Sequence, residues 1–285
     1  MAETLFANYE TVAAYLDTAI SPYFRAAAIM PNLVHLVNFQ NGSDQVKLRK
    51  AGSLTATLAS EATAHAIATY DETTPATLQA IQIKVYVELS DKALKFANAN
   101  PQSLAAEAGR AIAQKFDTDA MALFDSMNGG TQVGSSGVDC SPQILLQATY
   151  VLAAQNIPGP YVFVLHPTQI YDVQDDLITS GAVMWSNPAQ LDIMSGQAPL
   201  ANGWKGRFLD LDVYASTNTE SVNAAADWAG ACFSPQHALA AGFAGGIETE
   251  IGRSRSKGVT ELAVTLWYDV KEYNDLAGVS IETDQ

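Results

Sequence analysis

Four histidines, His35, His65, His166 and His237, stand apart in the chain. None forms the His-x-x-x-His spacing that sets two ring nitrogens on one helix face for a metal. His166 closes the apolar run 161–165, and α/β enzymes place acid–base groups at such strand ends. A turn residue with its hydrogen bonds satisfied explains it as well. Asp210 and Asp212 alternate along a predicted strand over 208–214, so they share a face as paired carboxylates would; solvated edge residues are the simpler reading. Asp172, Asp175 and Asp176 lack the further ligands that would collect a cation and read as a wet helix face. Ser135, Ser136 and Ser195 lack the Gly-x-Ser-x-Gly elbow of a hydrolase nucleophile. The Gly-rich run 129–137 has no Lys-Ser/Thr ending and follows a helix pattern rather than a strand, which makes it a flexible link and not a phosphate cradle. Cys140 and Cys232 cannot build a disulfide framework and belong to no metal-type pair, so they read as reduced core residues. Trp204, Trp228 and Trp267 read as core or interface packing. The sequence therefore predicts no catalytic residue, no cofactor and no metal: not an enzyme.

The remaining chemistry is charge. Fifteen Lys and Arg face thirty Asp and Glu, a net charge of −15 that argues against a dedicated nucleic-acid binder. Between Lys115 and Lys205 there is no basic residue, while eight aspartates fall near or inside that window. Two small basic groups stand out: Lys47, Arg49 and Lys50, and then Arg253, Arg255 and Lys257 in the glycine-bounded stretch 252–258. They are too few for a nucleic-acid platform. In an acidic molecule they are candidate contacts with an acidic neighbour. No apolar run approaches the ~20 residues that span a bilayer, and the first ten residues carry acids instead of a basic leader, so a soluble protein that stays where it is made is expected.

The elements that must position these residues can be read from periodicity. Ile81, Ile83, Val85, Val87 and Leu89 alternate with polar residues, which predicts a strand with one buried face. Asn100-Pro101 begins a long helix whose stripe Leu104, Ala108, Ile112, Phe116, Ala120, Leu123 and Met127 faces a core, and Asn128-Gly129-Gly130 ends it. Residues 1–30 suggest an amphipathic arm. Residues 32–80 describe a long two-stranded excursion with a weak core, and an isolated hairpin is marginal in water. Such an arm is expected to rest on a second copy of the chain. Residues 139–242 form a compact α/β region: helices over 142–155 and 169–178, a buried strand over 161–165, short strands at 208–214 and 231–233, and a helix over 235–241. Strands over 247–251 and 259–267 flank the basic loop, and 273–281 closes the fold.

This order of elements resembles the major capsid protein of tailed bacteriophages, the Hong Kong 97-type fold shared with encapsulin shells. The resemblance rests on the stretch from Ala76 through Leu94, on the helix ending at Asn128-Gly129-Gly130, on Val164-Leu165-His166-Pro167-Thr168-Gln169, on Phe233-Ser234-Pro235-Gln236-His237-Ala238-Leu239, and on the tail from Gly246 to Tyr268. It implies an α+β fold divided into an N-terminal arm (1–37), an extended loop (38–77), a peripheral domain with a long spine helix (78–130 and 243–285) and an axial α/β domain (131–242).

It also implies a structural, self-assembling protein that closes as hexamers and pentamers into an icosahedral shell around the double-stranded DNA of a tailed phage. The expected partners are other copies of the chain, with separate scaffolding, portal and decoration proteins possible, DNA held only non-specifically, and no membrane. The expected place is the virion capsid, assembled in the host cytoplasm. Some relatives cross-link a loop Lys to a neighbour's Asn. Here 51–72 has no Lys and 252–258 no Asn, so no such isopeptide is expected. Many relatives begin with a long cleaved scaffolding segment, and the short arm here points to a separate scaffold. Two alternatives remain: an encapsulin-type compartment, and a soluble α/β enzyme with a site near His166 and Asp210.

Overall fold

The structure, a computed structural model, describes residues 28–39, 43–50, 73–90, 92, 101–179, 203–208, 210–224, 226–254 and 256–284. Two sheets carry the core. The five-stranded sheet joins β1 (His35–Asn38), β4 (Ile81–Ser90), β11 (Leu239–Phe243), β12 (Glu248–Ser254) and β13 (Val259–Glu272). β13 is its axis. It pairs antiparallel with β4 on one side, and with β12 and then β11 on the other, so that Tyr268 lies between Ile81 and Phe243. The alternation of Ile83, Val85, Val87 and Leu89 does place these residues on the partly buried face, while Gln82, Lys84, Tyr86 and Glu88 are exposed.

Across this sheet lies α1 (Pro101–Met121). Its 21 residues span about 32 Å, shorter than the stripe predicted. After Met121 the backbone bonds tighten: Leu123 N–H donates to Ala120, Phe124 N–H to Met121 and Met127 N–H to Phe124. The shortened repeat swings Phe124 and Met127 inward, where both are fully buried. Asn128 and Gly129 take left-handed φ of 58° and 63° and end the run, as the Asn-Gly-Gly motif predicts.

The seven-stranded sheet has the order β5 (Val133–Gly134), β14 (Gly278–Asp284), β10 (Asp227–Phe233), β6 (Val162–Leu165), β8 (Leu211–Ala215) and β7 (Trp204–Phe208), with β9 (Ser221–Val222) added to β10. β6 is buried at all four positions. The helices α2 (Pro142–Ala154) and α3 (Pro167–Thr179) send Leu145, Ala148, Leu152, Ile170 and Val173 into a core with Phe163, Phe208, Val213 and Ile281. Val162, Val164, Ala231 and Phe233 of the same sheet join the other core, with Phe116, Phe124 and Met127. The sheet is thus covered on both faces.

Four expectations need correction. Residues 235–241 are not a helix: residues 235–237 form a turn, and β11 follows, held between β1 and β13. The last strand does not stay with the five-stranded sheet; β14 pairs with β10 over seven positions. The glycine run is not wholly a link, because β5 lies within it and pairs parallel with β14. A Cβ at Gly134, whose φ is 94°, would lie 2.3 Å from the Glu282 carbonyl oxygen, so this approach needs glycine. The predicted strand over 208–214 is two strands, β7 and β8, joined through Asp210.

The two-stranded excursion is present. β2 (Gln45–Lys50) pairs antiparallel with β3 (Thr73–Gln79), with a register shift between Leu48 and Lys50. β3 runs on through Ala80 into β4, so residues 73–90 form one extended path of roughly 60 Å shared by two sheets.

Candidate assembly surfaces

The hairpin leaves the body at a defined anchor. Leu78 is fully buried, and the Gln79 N–H donates to the Asp269 carboxylate of β13 at 2.9 Å. Beyond it Val46 and Leu48 are only half-buried and Lys47 is exposed. Among the described residues, this ribbon has no core of its own, as the alternation of 46–49 implied.

The six basic contact candidates end in different places. Lys47, Arg49 and Lys50 all lie on β2, which brings them together on the excursion. β12 continues through Ser254, so Arg253 stands on an exposed strand position rather than in the expected loop. Arg255 lies outside the described residues. Lys257 stands in the turn and pairs with Glu88 of β4 at 3.2 Å. Both groups are solvent-exposed, so the pair contributes under about 1 kcal/mol.

The enzyme-like candidates are taken up by local structure. The Gln169 side chain accepts the His166 N–H at 3.0 Å, closing a capping box at the start of α3. The His166 ring shares a 2.6 Å hydrogen bond with Thr168 and stacks on Trp228, centroids 3.8 Å apart. Burial pushes its pKa down. Asp210 occupies a turn with φ of 61°, and Asp212 on β8 accepts hydrogen bonds from Trp204 and Arg207. The two carboxylates therefore do not share a strand face. Val162 is level with Asp212 and Leu165 with Ala215 in parallel strands. His166 and Asp210 consequently sit at opposite ends of the sheet, roughly 20 Å apart along the strands. The geometry overturns the joint site proposed for an enzyme. Ser195 lies outside the described residues. Cys140 and Cys232 are buried free thiols, and burial pushes Cys140 up to about 12. Among the described residues, no group of His, Cys, Asp and Glu is placed to hold a metal ion, and no helix is long and apolar enough to cross a membrane.

One organising residue is hidden in the sequence. Asp117, 1% exposed on α1, accepts the backbone N–H groups of Ile29 and Met30 at 3.0 Å each. It pins the segment that leads to β1 onto the helix. Burial raises its pKa to about 6, against the two backbone donors that lower it. The signal available was an acid within the apolar stripe, between Ala113 and Ala120. Beside it, Phe116 stacks on Phe243 and meets Tyr268 edge-on, and the Tyr268 hydroxyl donates to Asp119 at 2.9 Å.

Against solved structures, the chain is similar to that of Mycobacterium phage Che8, with 15% identity, 89% of this chain and 90% of that one covered, and a TM-score of 0.67. The capsid of Ralstonia phage GP4 gives 12%, 91%, 92% and 0.66. The encapsulin complex of Synechococcus elongatus gives 11%, 93%, 89% and 0.65. No family model matches the chain, and no curated protein sequence does. At these identities the likeness is one of fold: the chain has the Hong Kong 97-type capsid fold, over nearly its whole length.

Proposed function

We propose that this chain is the shell subunit of a tailed phage, assembling as hexamers and pentamers into an icosahedral capsid around double-stranded DNA. The observation that carries the reading is the two-way coverage of about nine-tenths with capsid structures. The hairpin supports it, since a ribbon in which Leu78 alone among the described residues is fully buried gains stability when it lies on a neighbour.

In this reading 1–37 is the arm, 38–77 the extended loop, and the five-stranded sheet with α1 the peripheral unit. The seven-stranded sheet with α2 and α3 is the axial unit that meets its neighbours around the capsomer axis. The pairing of β14 with β10 favours moving residues 278–284 from the peripheral to the axial unit. The chain does no chemistry; many modest contacts become stable through multivalency, and symmetry closes the shell. Lys47, Arg49, Lys50, Arg253, Arg255 and Lys257 serve as contacts between subunits. The net charge of −15 keeps the lumen from gripping packaged DNA.

A second reading is favoured by the encapsulin match, whose TM-score equals those of the phage structures within 0.02. It replaces DNA by a protein cargo. Negative-stain electron microscopy with size-exclusion chromatography on the chain expressed alone, and with its phage's scaffold, tests the shell. Closed shells, tubes or rings of five or six are expected, and a monomer under both conditions would overturn it. Shells that co-purify with a cargo enzyme and no DNA would favour the second reading.

A further inference from the structure

Three Asn-Gly pairs occur in the chain: Asn41-Gly42, Asn128-Gly129 and Asn202-Gly203. Such a pair is chemically labile, because glycine has no side chain to keep its backbone nitrogen away from the neighbouring amide. In deamidation that nitrogen attacks the asparagine Cγ. A C–N bond closes a succinimide ring, the Cγ–Nδ2 bond breaks, and ammonia leaves with the proton of the attacking nitrogen. Water then opens the ring to aspartate or to isoaspartate. The reaction consumes only water, and it needs a conformation in which the nitrogen faces the side chain.

Asn128-Gly129 is the pair of which both residues are described, and it stands at the joint between the two sheets. Asn128 follows α1, which lies across the five-stranded sheet. Gln155, at the end of α2 on the seven-stranded sheet, donates through Nε2 to Asn128 Oδ1 at 2.7 Å. The Gly129 N–H donates to the Asp275 carboxylate, also at 2.7 Å. Asp275 opens the turn 275–277, where the chain passes from β13 in one sheet to β14 in the other.

Gly129 is exposed and Asn128 half-buried, so water reaches the pair and burial does not protect it. Conformation does. Asn128 has φ of 58° and ψ of 38°. This ψ sets the Gly129 nitrogen nearly opposite the Asn128 Cβ about the Cα–C bond, which is the arrangement farthest from ring closure. To reach Cγ, the peptide between the two residues must turn over. It is held on both sides: the Asn128 carbonyl accepts the Thr131 N–H at 3.1 Å, and the Gly129 N–H is the one bound to Asp275. The side-chain amide is held as well, by Gln155 at Oδ1 and through its Nδ2–H donation to the Thr131 carbonyl at 3.4 Å.

We infer that Asn128-Gly129 is a latent modification site, closed against deamidation while the joint holds and released when the joint opens. The modified fraction then records how often residues 128–131 part from Gln155 and Asp275, since the reaction runs from the open form alone. The inference concerns the joint within one subunit and stands whether or not the chain builds a shell.

The full-length unassembled protein, folded and in urea at the same neutral pH, is followed by peptide mass spectrometry at each Asn-Gly pair. In urea the three pairs should react at similar rates. In the folded protein Asn128 should react at least about tenfold more slowly than in urea. Asp275→Ala and Gln155→Ala leave the pair itself intact and remove one clasp each. Each should speed the reaction at Asn128 by about threefold or more, with a melting curve showing that the variant is folded. A folded wild type that reacts at Asn128 as fast as the urea-unfolded chain would overturn the inference, and this comparison needs no variant. Folded variants with an unchanged rate would overturn it too. A slower reaction in Asp275→Ala would also do so, because it would make Asp275 a base that promotes the attack.

Discussion

At position 117 the core stripe of α1 carries a carboxylate between Ala113 and Ala120, and two backbone N–H groups from residues 29 and 30 converge on it. Its folded pKa, about 6, lies above the ordinary 3.8. A raised carboxyl binds its proton more tightly in the folded protein, so its contribution is fully present below about pH 3.8 and is lost as pH rises through 6. The wild-type chain should therefore lose up to about 3 kcal/mol over this window relative to Asp117→Asn, whose amide does not titrate. Asn has a single acceptor oxygen for the two backbone donors, so the variant should be weaker by about 1–3 kcal/mol at pH 4, with a flatter slope and a gap that closes as the pH rises. Urea melts of the unassembled protein at pH 4, 5, 6 and 7 measure both, and parallel slopes would refute the assignment. The periodicity of α1 was legible in the sequence, yet Asp117 was not. A charge in a core stripe is explained only by its partners, and these lie 87 and 88 residues away.

Among the elements, those whose environment matches their own period were readable: β4 with one covered face, β6 with two, and α2 and α3 with inward stripes. Residues 238–241 were misread because Ala238, Ala240 and Ala241 favour a helix in isolation. Ladders on both sides, to β1 and to β13, outweigh that preference. The crossing of β14 to the other sheet was equally hidden, since alternation reports a covered face and never names the neighbour. The hairpin gives the sharpest expectation at this scale. Replacing residues 45–76 with a short turn keeps Leu78 and the Gln79–Asp269 bond. The unassembled chain should melt within about 5 °C of wild type, because a two-stranded ribbon adds little by itself. Closed shells should be lost. Calorimetry and electron microscopy read the two outcomes separately, and shells from the deletion variant would remove the hairpin from the assembly argument.

The whole molecule sets long-range repulsion against short-range fit. Copies with a net charge of −15 repel each other over the Debye length, about 10 Å at 0.1 M salt and about 3 Å at 1 M. Adding salt first removes this repulsion and later weakens rim contacts such as those proposed for Lys47 and Arg253. Assembly followed by light scattering should therefore pass through a maximum in salt concentration, and a monotonic fall from the lowest salt would contradict it.

The path through residues 73–90 has a mechanical meaning. A neighbour seated on β2 and β3 that moves away along the hairpin pulls β4 lengthwise past β13. All ten register pairs of that ladder then share the load at once, from Ile81 opposite Tyr268 to Ser90 opposite Val259. Peeling the same strand sideways would break its bonds one after another and take far less force. The subunit is stiff in the direction of its outstretched arm and yielding across it, as a strap is, so a swelling shell would stretch its links before it tore them from the body.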